Sequence, residues 1–175
     1  MRGCACASRD RQGDGGAGTP SGLTLRTKRR TEDLRETCLM TPRILAIGGG
    51  GFLMEDTPSP VDRYIARLTG RDRPRVCFIS TPSGDSVESI EKFYAAFESL
   101  GCEAAHLAFF RKPFRASLSL ASFAELVLTQ DAIFVGGGNT KSALAVWREW
   151  GLDRVLAEAR RRGILLSGIS AGAMC

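Results

Sequence analysis

Gly168-Ile169-Ser170-Ala171-Gly172, close to the end of a 175-residue chain, decides how everything before it is read. The stretch fits Gly-x-Ser-x-Gly, the pattern of a turn that carries a serine from the end of a strand onto the start of a helix. Small residues cluster by chance in glycine-rich chains, so the context has to carry the reading. Ile164-Leu165-Leu166, preceded by Gly163, is a short apolar run of the kind that forms a buried parallel strand. Side chains in place of Gly168 and Gly172 would crowd a turn tight enough to expose the serine hydroxyl. The helix expected next has barely begun at Cys175.

Working back from the serine, Leu152, Val155, Leu156 and Ala159 continue a helical face into Arg160-Arg161-Arg162, cations suited to a helix C-terminus. Before that face, Ala132-Ile133-Phe134-Val135 reads as a strand ending in Gly136-Gly137-Gly138-Asn139-Thr140, which opens a helix with Leu144 and Trp147 inward. The same alternation extends to Met40. Strands are predicted over 43–47, 75–79 and 103–108. Ser59-Pro60 caps a helix with Val61, Tyr64, Ile65 and Leu68 on one face, closed by Gly70. Asp85 and Glu88 have capping-box spacing for a second helix, whose inward stripe is Val87, Ile90, Phe93, Tyr94, Phe97 and Leu100. That aromatic stripe is core packing. A basic loop with Arg111, Lys112 and Arg115 leads to a helix over 118–129. Strand–helix alternation of this kind predicts an α/β fold: a three-layer open parallel sheet with helices on both faces.

Composition narrows the function. The net charge of +5 divides unevenly: residues 1–39 carry 8 basic and 5 acidic side chains, residues 40–175 carry 16 and 14. The folded part therefore has no basic surplus that would recommend a nucleic-acid partner. No apolar run approaches the roughly 18 residues of a membrane span. No apolar core of a secretory signal follows Arg2. Six scattered cysteines without a CxxC pair argue against zinc and for a reduced, cytoplasmic setting. Residues 1–39, rich in Gly, Ser, Thr and Arg, are expected to be a disordered extension, with Met40 as the natural start and the folded domain over 40–175. Gly48-Gly49-Gly50-Gly51 after the first strand raises a dinucleotide fingerprint, but the third glycine position is Leu53 and the second strand runs into Ser80 without an acid. Those glycines are expected to let backbone pass close to a crevice at the carboxyl edge of the sheet.

A hydroxyl nucleophile needs a base for its proton and donors for the oxyanion of a tetrahedral intermediate. The amide of Ala171, at a helix start just after Ser170, is one natural donor. The second has to come from a neighbouring loop whose backbone approaches closely, and residues 136–138 are built for that.

Taken together, Gly136-Gly137-Gly138-Asn139-Thr140, Gly168-Ile169-Ser170-Ala171-Gly172-Ala173 and the glycine run entering Phe52 resemble peptidase E (aspartyl dipeptidase) and its relatives, including cyanophycinases. The resemblance covers residues 40–175. It implies a serine peptidase on a fold similar to class I glutamine amidotransferases, acting on a small peptide substrate without metal or organic cofactor. It implies that Ser170 is the nucleophile and that the amides of Gly138 and Ala171 form the oxyanion hole. The family's catalytic histidine and its acidic partner follow the nucleophile, so neither has a position here, and this chain alone is expected to be inactive and marginally folded, its sheet ending at an uncovered apolar strand or face. Two other readings use the same loops: hydrolysis of an Asp–Arg polymer, as in cyanophycinases, and a non-catalytic binding domain on the same scaffold.

No residue present reads as a replacement base. His106, the only histidine, lies in an apolar strand as a structural residue; Lys141 is a solvated first-turn lysine. Cys175 stands a turn beyond the elbow, and Glu149 and Asp153 lie on helix surfaces.

Overall fold

The three inner strands are largely apolar on both sides, and a strand buried on both faces has to be covered by helices above and below. In the computed structural model, which describes residues 43–55, 58–110 and 123–175, the strands are β1 (Ile44–Ile47), β2 (Arg75–Ile79), β3 (Glu103–Leu107), β4 (Ala132–Val135) and β5 (Leu165–Ile169). All are parallel, in the order β1-β5-β4-β2-β3. The helices are α1 (Pro60–Leu68), α2 (Val87–Ser99), α3 (Phe123–Leu128), α4 (Thr140–Trp150), α5 (Leu152–Arg161) and the single turn α6 (Ala171–Met174). The open parallel α/β sheet expected from the alternation is therefore present. The 1–39 extension, the basic loop at Arg111, Lys112 and Arg115, and the start of the helix placed over 118–129 lie outside the described residues.

The two-residue period of a strand divides the core in two. On one face, Phe78 and Phe134 meet Phe52, Phe93 and Phe97. Phe78 stacks on Phe93 at 5.1 Å between ring centroids, and Phe52 meets Phe78 edge-on at 5.5 Å. Each such pair adds about 0.5–1.5 kcal/mol beyond the area it buries. On the other face, Cys77, Ile79 and Ile133 pack against Val127, Trp147 and Leu152. The aromatic stripe of α2 is core, as its periodicity predicts.

The edge strands are β1 and β3, and the last strand in sequence is interior. β5 lies between β1 and β4, whereas Ile44 on β1 is 65% exposed. A largely apolar groove of about 450 Å³ flanks it, lined among others by Ile44, Leu144, Trp147, Leu156, Leu166 and Met174.

Three local expectations change. The continuous helical face over 140–162 is two helices, because Gly151 at φ 75° ends α4 and starts α5. The cap of α2 is Ser86, whose Oγ accepts from the Ser89 N–H at 3.3 Å, so Asp85 and Glu88 form no capping box. The true capping box is at α1. There Ser59 and Asp62 bond reciprocally, and Asp62 also accepts from the Phe52 N–H at 3.2 Å, tying the helix to the turn after β1.

Candidate active site

The carboxyl ends of β1, β5, β4 and β2 lie side by side, and their following turns make the candidate site. Ser170 leaves β5 at φ 52°, ψ −116°, a conformation that costs an ordinary residue about 1–3 kcal/mol. Its N–H donates to Ile47 O of β1 at 2.9 Å, and Ala173 N–H returns to Ser170 O at 3.0 Å. The side chain points outward and Ser170 is exposed, while its neighbours Ile169 and Ala171 are buried. This is the backbone strain expected of a sharp strand-to-helix turn that exposes its serine.

Both flanking glycines are sterically required. A Cβ on Gly168 would lie 2.1 Å from Gly172 O, and one on Gly172 would lie 2.3 Å from Val135 O. Real Cβ atoms do not approach backbone so closely, so any larger residue moves the turn.

The loop over 136–139 lies directly against the serine. A methyl group placed on Gly137 would sit 3.4 Å from Ser170 Cβ and 3.9 Å from its Oγ. Gly138 has φ 138°, and a Cβ there would fall 2.0 Å from Pro82 O. Asn139 caps α4, its Oδ1 accepting from the Ser142 N–H at 2.9 Å. Ala171 occupies the first position of α6, where a backbone N–H has no partner within its own helix. Gly137 is thus the loop glycine that meets Ser170, while Gly138 lies against Pro82.

Ser170 opens onto a shallow cleft of about 380 Å³, bordered by Ala46, Ile47, Gly48, Ala173 and Met174. The larger apolar groove beside β1 does not include Ser170. Gly48 does border the serine's cleft, but a Cβ there would meet nothing within 4 Å. The glycines that the turn after β1 needs are Gly50 and Gly51, at φ 95° and 70°.

His106 is remote from all of this. It lies on β3, with β4 and β2 between that strand and β5. It is buried, and its Nδ1 bonds the Tyr94 hydroxyl at 2.9 Å. Lys141 is exposed in the first turn of α4, and Glu149 and Asp153 are exposed. Among the described residues, no group of three His, Cys, Asp or Glu side chains is placed to hold a metal ion, and no helix is long and apolar enough to cross a membrane.

Sequence reasoning missed Asp85. It is fully buried, at φ 56°, the only other described non-glycine residue besides Ser170 with positive φ. The available signal was the Gly84-Asp85 pair in a strand-end turn, a dipeptide that tolerates left-handed backbone.

A parallel sheet that presents a serine on a strained turn, beside a glycine loop, defines an open α/β protein with its candidate site at the carboxyl edge of the sheet. Residues 44–175 match the model of peptidase family S51, and the chain belongs to that family. It is 48% identical over 133 residues to a Bacillus subtilis (strain 168) protein named uncharacterized peptidase YgaJ, with 76% of this chain and 55% of that one aligned. Its fold is similar to a crystal structure of a peptidase from an acI-B1 Actinobacterium (TM-score 0.61, 20% identity, 78% of this chain and 57% of that one). It is also similar to a structure titled putative peptidase E from Listeria monocytogenes EGD-e (TM-score 0.50, 24% identity, 74% and 57%). The chain spans just over half the length of these relatives.

Proposed function

We propose that this chain is the nucleophile-bearing portion of a serine peptidase that hydrolyses short peptides. The observation that carries the reading is Ser170 itself: exposed, held at φ 52°, with the glycine loop against its side chain. In this reading Ser170 Oγ attacks the scissile carbonyl, and the N–H groups of Gly138 and Ala171 receive the oxyanion. Removing one such donor typically raises the barrier by about 3–4 kcal/mol. The proton acceptor and its acidic partner are assigned to the part of the relatives' length that these 175 residues do not span, since His106 is buried three strands away from β5. The 175-residue chain by itself is then inactive.

The substrates to assay first are dipeptides beginning with aspartate, with an Asp–Arg polymer as the competitor. In the full-length protein, Ser170→Ala should lower kcat by roughly 10⁴-fold or more while circular dichroism and substrate affinity stay near wild type. A Ser170→Ala enzyme with wild-type kcat ends the serine peptidase reading. A wild-type protein that binds aspartyl peptides and never cleaves them favours a binding domain instead.

A further inference from the structure

From the bonds around its carboxylate we infer that Asp85 is a positioning residue for the glycine loop beside Ser170, acting through the turn that follows β2; this rests on the reading of Gly138 as an oxyanion donor. Asp85 touches neither the serine nor its cleft. Its Oδ1 accepts from the Ser80 hydroxyl at 3.1 Å, and its Oδ2 accepts from the backbone N–H of Phe109 at 2.6 Å and of Phe110. Both oxygens are therefore committed to scaffold, which rules the side chain out as the missing catalytic acid.

What the carboxylate holds is the floor of the glycine loop. Ser80 O accepts from the Ser83 N–H at 3.0 Å, the Ser83 hydroxyl at 2.9 Å and the Asp85 N–H at 3.2 Å, closing a tight knot over residues 80–85. The knot presents Pro82 O outward, and that oxygen accepts from the Asn139 N–H at 2.7 Å. One turn earlier, Gly136 N–H donates to Ile79 O at 3.0 Å. The Gly138 Cα hydrogens lie against Pro82 O, where a Cβ would approach to 2.0 Å. The path of residues 136–139 thus copies the shape of the knot. A buried carboxylate at positive φ is costly unless its bonds fix something, and charge-assisted bonds to three donors are strong ones. Asp85 joins the carboxyl ends of β3 and β2, and the Pro82 carbonyl passes the constraint to the loop after β4.

The experiment uses the full-length protein and two readouts, one of them independent of activity. In Asp85→Asn the charge that strengthens all three bonds is gone, and the side-chain amide either turns its NH₂ on the Phe109 and Phe110 N–H groups or keeps its oxygen there and donates from its NH₂ to Ser80 Oγ. Hydrogen exchange at the Gly136 and Asn139 amides should accelerate at least about tenfold while amides within β4 keep their protection. Turnover per serine, with active sites counted by a fluorophosphonate label, should fall about 10–100-fold in kcat with KM within about twofold, because a displaced donor is felt mainly in the transition state. Ser80→Ala, which removes only one bond, gives the same two readouts at smaller size and serves if Asp85→Asn does not fold. Unchanged exchange at Asn139 together with unchanged kcat overturns the inference. Faster exchange with no Ser170-dependent turnover even in the wild type keeps the support role and overturns the peptidase reading alone.

Discussion

The turn after β5 and the turn after β2 both force a non-glycine residue into positive φ, and they use the strain in opposite ways. Ser170, at φ 52°, is exposed. Asp85, at φ 56°, is fully buried with its carboxylate held by three donors. In the first turn strain aims a side chain at the cleft. In the second it turns a side chain inward to tie the turn over 80–85 to the backbone at 109–110. Strained backbone persists where its surroundings over-determine it, and the surroundings differ: the serine turn is locked by sterics at Gly168 and Gly172, the aspartate turn by hydrogen bonds.

That contrast is broken most severely by adding one methyl group to each turn. Gly172→Ala drives a Cβ to 2.3 Å from Val135 O and 2.7 Å from Gly136 O, neither of which is a flexible atom. The expected loss is about 3 kcal/mol or more, seen as a lowered urea midpoint or insoluble protein. Gly84→Ala, at φ 67° with nothing within 4 Å of the added carbon, should cost only about 1 kcal/mol of backbone strain. Equal losses in the two variants would mean that the serine turn is not sterically locked.

Replacing each strained residue by glycine sharpens the comparison further, because the signs should differ. Asp85→Gly relieves its φ but deletes the bonds to Ser80, Phe109 and Phe110, for a net loss of about 2 kcal/mol. Ser170→Gly removes strain with no scaffold bond lost from the side chain, so the protein should gain about 1 kcal/mol and, on the proposed function, lose hydrolysis. Thermal unfolding of the pair checks both. A destabilised Ser170→Gly would show that the hydroxyl supports the fold.

Much of this was legible in the sequence, and the reasons are local. Short apolar runs alternating with helical spacing predicted the five strands, and the glycines after Val135 and on either side of Ser170 predicted the two tight turns there. The sheet order was not legible, because nothing in Leu165 to Ile169 says that β5 inserts between β1 and β4. Asp85 was misread as half of a capping box because a polar residue ahead of a helix usually caps it; only the tertiary contact with residues 109 and 110 shows otherwise. The break at Gly151 was hidden for a similar reason. The apolar positions on both sides of it keep helical spacing, and a left-handed glycine is needed to see two helices.

The mildest test leaves both turns intact and asks how tightly each is covered, using a thiol attached to each. Cys77, three residues before Ser80, is fully buried, and burial pushes its thiol up to about 12 from an ordinary 9.0. Cys175, five residues after Ser170, is exposed, with its thiol raised above 9.0 by partial burial. At pH 8 a disulfide reagent should modify Cys175 within minutes and Cys77 only at the rate of global opening, since the thiolate is the reactive form. Peptide mass mapping separates these two from the other cysteines. The same burial fixes a pH dependence. Above pH 9 the unfolded chain releases the Cys77 proton while the folded chain keeps it. The folded state then binds more protons, and stability falls as pH rises from 9 toward 12, by at most about 1.4 kcal/mol per pH unit from this group. A Cys77→Ala variant should flatten that decline. Labelling of Cys77 as fast as Cys175 at pH 8 would mean that the strand feeding the aspartate turn opens as readily as the serine end, and the contrast between a hydrogen-bonded knot and an exposed elbow would not stand.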